Sequence, residues 1–241
     1  MTARGDGKGQ PRPWRPGGPP RSPSELFSLL PKDTARTWTA LAPHLPSELY
    51  LGGGTALAVH LHHRESRDLD FFYHHGAVDL KNLERALGEA GIFAAQHRSD
   101  GTLRGLFGST RIEFFHADEV EPQQLLEEPQ SFAGVAIAGI KDLMAMKMKV
   151  VRERGELRDY FDIKTIEEQT GLQVEDGLAL YAQRYRLGPA DEAVAQVVQS
   201  LGYLDDVEDD HALPLTKDEL AAWWRARQVR LVRHLARNPL R

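Results

Sequence analysis

Apolar residues along the chain change their spacing twice. Short runs of aromatic and branched residues fill the middle, where Leu69–Tyr73, Ile92–His97, Thr102–Phe107 and Thr110–Phe115 read as strands, with another at Glu48–Leu51. Gly108-Ser109 predicts a tight hairpin between the runs at 102–107 and 110–115. Helical spacing dominates on either side. A short helix is expected over Glu25–Leu30, stopped by Pro31, and a second, capped by Asp33, runs through Trp38 and Leu41 to Pro43. Leu80, Leu83 and Leu87 set a helix from about Asp79 to Ala90, closed by Gly91. From Ile140 onward the chain is helical: Ile140, Leu143, Met144, Val150 and Val151 form one stripe, and Val174–Tyr185 and Asp191–Leu201 are amphipathic. Thr216 with Glu219 makes a capping box for a last helix reaching about Arg237. There Leu220, Trp223, Leu231 and Leu235 are expected inward. Arg227, Arg230, Arg233 and Arg237 are expected outward, as a basic face suited to phosphate contacts or to plain solvation. This order predicts an α/β (α+β) chain, with a core over 24–165 and a helical C-terminal lobe over 166–241.

Two stretches break the pattern in ways that matter chemically. The first is Leu51–Tyr73. Gly52, Gly53 and Gly54 permit positive φ and close backbone approach, and Thr55 opens a helix over Thr55–His63 whose first N–H groups offer an anion site. On the strand that follows, Asp68 and Asp70 are two residues apart and share a face. Paired carboxylates repel unless a cation joins them, and Mg²⁺ is the usual oxygen-seeking guest that also takes phosphate oxygens. A phosphate cradle followed by a metal-holding acid pair points to nucleotidyl transfer. His62 and His63, beside Arg64, read as the end of the helix. None of the ten histidines shows a metal-ligand spacing.

The second stretch is Ile140–Asp162. Lys147 sits in the middle of the apolar stripe, where leucine would be expected. On an unbroken helix Arg154, Arg158 and Asp162 would share its face, and buried charges must find partners or line a cleft. The bland alternative is a snorkelling Lys147 and a simple i,i+4 ion pair between Arg158 and Asp162. Gly155 is where such a helix would break.

Composition narrows the classes without choosing among them. The 241 residues allow one sizeable core, and 41% hydrophobic with 27% charged residues is ordinary for a soluble protein. The absence of cysteine excludes disulfides, thiolate zinc sites and thiol nucleophiles. No apolar run approaches the roughly 20 residues that cross a bilayer. The N-terminus lacks the apolar core of a signal peptide, so no membrane association and a cytoplasmic location are expected. Residues 1–23 are rich in Gly, Pro and Arg, carry a local charge of +4 from five Arg/Lys and one Asp, and are expected to be a disordered tail. The net charge of −5 argues against indiscriminate nucleic-acid coating. The run Asp205–Asp210 lacks the spaced oxygens and glycine of a calcium loop and reads as a solvated acidic loop.

Gly53-Gly54-Thr55-Ala56-Leu57, followed by His63-Arg64-x-Ser66-x-Asp68-Leu69-Asp70-Phe71, resembles the first motif of the AbiEii/AbiGii-type toxins, which include the MenT toxins, within the polymerase-β-like nucleotidyltransferase superfamily. Lys147, Arg154-Gly155, Arg158-Asp159 and Asp162 resemble their second motif, with Arg158 where lysine is common. The resemblance spans about residues 46–165. It implies a mixed-sheet nucleotidyltransferase core in which Asp68 and Asp70 hold Mg²⁺ (or Mn²⁺). In it Gly53, Gly54 and Thr55 bind the phosphates of an NTP through backbone N–H groups and the threonine hydroxyl. Lys147 contacts those phosphates with Arg154 and Arg158 in support, and Asp159 or Asp162 holds the lysine or positions the incoming hydroxyl. A third carboxylate completes the metal cluster or deprotonates the acceptor, and Glu113 is either that residue or a solvated strand position. The resemblance also implies the toxin of a toxin–antitoxin or phage-defence pair, with a cognate antitoxin partner and an RNA acceptor such as the 3′ end of tRNA. The alternatives are nucleotidylation of a protein or an antibiotic-like small molecule, and a non-catalytic module that binds NTP or antitoxin.

Overall fold

A seven-stranded sheet is the frame on which the chemistry-bearing residues sit. The computed structural model describes residues 22–74, 76–117, 123–188 and 191–238. The tail expected over 1–23 falls almost wholly outside that range.

Helices α1 (Pro23–Leu29) and α2 (Lys32–Leu41) come first. Asp33 lies inside the first turn of α2, and the cap position belongs to Pro31. Proline's missing N–H costs nothing at that end of a helix, so the helix begins two residues earlier than Asp33 suggests. A short 3₁₀ turn follows, then β1 (Tyr50–Leu51), α3 (Gly53–Leu61) and β2 (Leu69–Tyr73). Strand β1 is two residues long against the four expected, and α3 opens on the glycines themselves. Helix α4 (Leu80–Ala90) is capped by the Asp79 carboxylate and stopped at Gly91, as its spacing predicts. Strands β3 (Phe93–Arg98), β4 (Thr102–Phe107) and β5 (Thr110–His116) follow within a residue of expectation, and Gly108 takes a positive φ of 59° in the hairpin.

The hairpin β6 (Gln130–Phe132) and β7 (Val135–Ile137) was not legible in advance. Each strand has three residues, too few to display an alternation, and the turn is Ala133-Gly134, both at positive φ (45° and 81°). An alanine there hides the Asn-Gly or Asp-Gly signature of a two-residue turn.

The strand order is β3-β4-β5-β2-β1-β7-β6. The β2·β5 and β1·β7 pairs are parallel and the rest antiparallel, so the sheet is mixed. On one face Leu103, Phe107, Ile112, Phe114, Leu69 and Phe71 are buried. There α4 packs through Leu83 and Leu87, and α2 through the Thr37 hydroxyl, which bonds to Thr110 Oγ1 at 2.9 Å.

The long helical stretch is broken where glycine allowed it. Helix α5 (Ile140–Glu153) ends at Arg154, Gly155 adopts φ +28°, and α6 (Leu157–Thr170) begins two residues later. Helices α7 (Val174–Arg184), α8 (Glu192–Leu201) and α9 (Lys217–Arg237) pack against α5 and α6 in a core continuous with that of the sheet.

Two buried ion-pair groups fasten this layer. Arg184 and Asp142, both with fully buried side chains, pair with each other, and Arg184 also donates to the Tyr50 hydroxyl at 2.8 Å. Asp142 in turn accepts the N–H groups of Leu126 and Glu127, so α5, α7, β1 and the 124–127 segment meet at one carboxylate. The second group corrects the expectation for α9. Arg227 points inward, 2% exposed, with Nε donating to Glu167 at 2.8 Å and a further pair to Glu175. Trp224 takes the buried place expected of Trp223, and Arg230, Arg233 and Arg237 remain exposed.

Candidate active site

Two elements from opposite ends of the core meet beside β2. Asp70 lies on β2, and Asp68 immediately precedes the strand. Glu113 on β5 is the cross-strand partner of Asp70, so the parallel register places the three carboxylates in adjoining positions on one face. The consequence is electrostatic. Burial, then the negative charges of Glu113 and Asp68, pushes the Asp70 carboxyl up to about 6, partly opposed by Lys147 and Arg154.

The glycine turn is shaped around that carboxylate. Gly52 donates its N–H to the Asp70 carbonyl at 2.8 Å, and Gly53 has φ +64°, a left-handed conformation that favours glycine. A Cβ on Gly53 would overlap Asp70 Oδ2, and one on Gly54 would sit 2.7 Å from Arg64 Nη2 and 2.9 Å from Ser66 Oγ. No side chain caps α3, and the N–H groups of Gly53, Gly54 and Thr55 belong to its first turn, where no intrahelical acceptor exists. Thr55 itself behaves differently from expectation. Its side chain is fully buried, and its hydroxyl donates to the Asp68 carbonyl at 2.5 Å. The hydroxyl therefore ties α3 to the acid-bearing segment, which corrects the phosphate contact expected of it; its backbone N–H remains at the helix opening.

Lys147 is 7% exposed, and its Nζ lies 2.6 Å from Asp159 Oδ1 and 2.7 Å from Asp162 Oδ2. Burial alone would lower its pKa, but the two carboxylates outweigh it and hold the amine above its ordinary value. The break at Gly155 makes this possible by starting α6 afresh, with Asp159 and Asp162 one turn apart on its inner side. Asp159 also accepts the Glu156 N–H at 3.0 Å, fastening the first turn of α6.

Asp162 is the hub. Its fully buried carboxylate accepts Lys147, a bidentate pair from Arg64 (Nε at 2.6 Å, Nη2 at 2.8 Å) and His63 Nε2 at 2.7 Å. Burial opposes its ionisation, yet Lys147, Arg64 and His63 together hold it well below the ordinary carboxylate range. Burial keeps His63 below its usual pKa in spite of Asp162, and its ring stacks on Phe161 at 5.7 Å. A carboxylate so enclosed positions other groups and cannot reach an incoming hydroxyl. The simple pair between Arg158 and Asp162 does not form either: Arg158 and Arg154 both pair with Glu156, their side chains 42% and 66% exposed.

His63 and Arg64 are the residues that sequence reasoning passed over as a helix end. The signal available was a charged pair directly after a helix with seven buried residues and directly before the acid pair. His62 takes the left-handed C-cap (φ 53°), which turns the chain so that both following side chains face α6. Among the described residues no group of three or more His, Cys, Asp or Glu side chains is placed to hold a metal ion by itself. Asp68, Asp70 and Glu113 are all oxygen donors under mutual repulsion, a donor chemistry that fits a hard divalent cation whose remaining coordination comes from phosphate.

Comparison with known proteins bears on the family and the fold. An uncharacterized protein of Aquifex aeolicus is 29% identical over 167 residues, covering 68% of this chain and 77% of the relative. The crystal structure of JHP933 from Helicobacter pylori has a TM-score of 0.51 at 19% identity, covering 86% of this chain and 93% of that one, so the fold is shared. A structure of ANT(2″)-Ia in complex with adenylyl-2″-tobramycin has a TM-score of 0.45 at 18% identity, covering 63% of this chain and 96% of that one. The family described as nucleotidyl transferase AbiEii toxin, type IV toxin–antitoxin system, matches residues 38–236. With that match over most of its length, the chain belongs to the AbiEii nucleotidyltransferase toxin family and is a nucleotidyltransferase.

Proposed function

We propose that the protein transfers a nucleoside monophosphate from an NTP to the 3′-terminal hydroxyl of an RNA acceptor such as tRNA, and that this activity is the toxic function held in check by a cognate antitoxin. The observation that carries the reading is the buried Lys147 amine, gripped by Asp159 and Asp162 and close enough to act electrostatically on Asp70. Asp68, Asp70 and Glu113 would hold Mg²⁺ or Mn²⁺, which when bound supplies charge to neutralise the phosphates and the departing pyrophosphate. The N–H groups of Gly53, Gly54 and Thr55 receive phosphate oxygens at the opening of α3. Lys147 presents a fixed positive charge to the phosphates, with Asp159 and Asp162 setting its position. Arg154 and Arg158, at the mouth of the α5–α6 break, add positive potential from the solvent side. In the reaction the acceptor hydroxyl oxygen bonds to the α-phosphorus and the bond to the β-phosphate oxygen breaks. Pyrophosphate leaves with that electron pair, and the hydroxyl proton passes to water.

Incubation with α-labelled NTPs, Mg²⁺ and total tRNA tests this. Label should enter the tRNA with wild-type protein, and Asp70→Ala and Lys147→Ala should each lower transfer by at least about a hundredfold. Persistence of transfer in both variants would overturn the assignment.

A further inference from the structure

The face of the sheet opposite α2 and α4 is organised in three rows that the site above does not use up. The register aligns Asp70 on β2 with Glu113 on β5, Arg104 on β4 and His97 on β3. One step along the strands, Phe72, Phe115 and Thr102 form a second row; on the other side Arg111 and Leu106 are partners, with Asp68 beside them. These side chains alternate with the buried residues of the same strands, so they project from the opposite face. Carboxylates (Asp68, Asp70, Glu113) and rings (Phe72, Phe115) lie at β2 and β5, and guanidinium groups lie on β5 (Arg111) and β4 (Arg104).

The chemistry of that outer part is specific. Phe72 and Phe115 stack with ring centroids 5.3 Å apart, and the Arg104 guanidinium lies over Phe115 at 5.2 Å. Arg104 and Arg111 are about half exposed, at 47% and 59%. Arg104 is 3.6 Å from Glu113 and Arg111 is 3.9 Å from Asp68, longer than hydrogen bonds, so among the described residues these ion pairs leave their N–H donors available. A guanidinium plane lying over a pair of stacked rings, with a second arginine on the same face, suits bases and phosphates of an unpaired strand, which needs stacking surfaces and positive charge without base-specific readout. A protein segment would gain less here, since the edge strand β3 carries exposed Gln96, His97 and Arg98.

We infer that this face of β4 and β5 is the docking surface for the single-stranded 3′ end of the nucleic-acid acceptor, which it leads toward the Asp68–Asp70 edge. Phe115 with Arg104 stacks an unpaired base, and Arg104 and Arg111 contact phosphates. Docking rests on the nucleotidyl-transfer reading but depends on different residues.

Anisotropy of a short 5′-fluorescein-labelled oligoribonucleotide, titrated with the full chain without NTP or Mg²⁺, separates the two. Wild-type protein should bind it. Arg104→Ala and Phe115→Leu should each weaken binding about five- to tenfold, while NTP binding, measured separately, stays within about twofold. Replacing both Arg104 and Arg111 by alanine should flatten the dependence of log K on log salt by about 1.4. Unchanged affinity in Arg104→Ala and Phe115→Leu would overturn the docking surface. So would failure of the wild type to bind the strand while it transfers nucleotide to another acceptor, a result that leaves nucleotidyl transfer itself standing.

Discussion

Asp162 and Asp70 show how one residue type is put to opposite uses by its surroundings. Asp162 is fully buried among three cationic or hydrogen-bonding partners. Asp70 is crowded by burial and by the neighbouring carboxylates of Glu113 and Asp68. Removing the first leaves Arg64 buried without its carboxylate and Lys147 with Asp159 alone. Asp162→Ala should therefore cost about 3–5 kcal/mol in denaturant unfolding. For Asp70 the sign is reversed. Its folded value of about 6 exceeds the ordinary 3.8, so the folded state binds more protons between those values. The resulting stabilisation is complete below about 3.8 and is lost as the pH rises to about 6. In EDTA, Asp70→Asn should thus gain on wild type by on the order of 1–2 kcal/mol between pH 4 and pH 7. Denaturant midpoints across that range measure it; a constant difference would contradict the crowding of carboxylates at the sheet edge. Gly53 couples backbone to site, since any side chain meets both a left-handed φ and the Asp70 carboxylate. Gly53→Ala should lower the melting temperature, by about 1–2 kcal/mol of strain, and depress nucleotidyl transfer more than its stability loss explains.

At the scale of elements, what could be read in advance depended on how far each signal repeats. Strand β2 and helix α4 were legible because alternation, or Leu80–Leu83–Leu87 spacing with Asp79 and Gly91 at the ends, extends over several residues. The β6–β7 hairpin was not, since three-residue strands around Ala133-Gly134 present no period. Lys147 stood out because it interrupts an apolar stripe. Asp159 or Asp162 was expected to hold it, whereas the alignment of Arg154, Arg158 and Asp162 assumed a continuous helix that Gly155 in fact divides; the division sends Arg158 to Glu156 and leaves Asp162 for Lys147 and Arg64. A Cβ at Gly155 would lie 2.8 Å from the Tyr160 hydroxyl, and its φ is +28°. Gly155→Ala should therefore shift the start of α6, weakening the grip of Asp159 on Lys147. Transfer activity should fall, with the melting temperature reduced by only a few degrees.

Across the whole molecule, one core joins sheet and helical layer, and ion pairs seal it where sequence predicted surface. Arg227 was placed outward because α9 carries arginines on every face, and a periodic reading cannot tell which one meets Glu167 and Glu175 from other helices. Arg227→Met should destabilise the protein by about 2–3 kcal/mol without changing the salt dependence of strand binding, since the residue does not face solvent. No helix among the described residues is long and apolar enough to cross a membrane.

The central claim is that the acid edge of β2 and the lysine of α5 act on a single nucleotide. Label transfer measured in Asp70→Asn, Lys147→Met and the double variant tests it most directly, because groups acting on one transition state are strongly non-additive. Each single change should lower the rate by about two to three orders of magnitude, and the double variant should fall no more than about tenfold below the slower single. Transfer within about tenfold of wild type in either single variant, or losses that multiply fully in the double, would contradict the account.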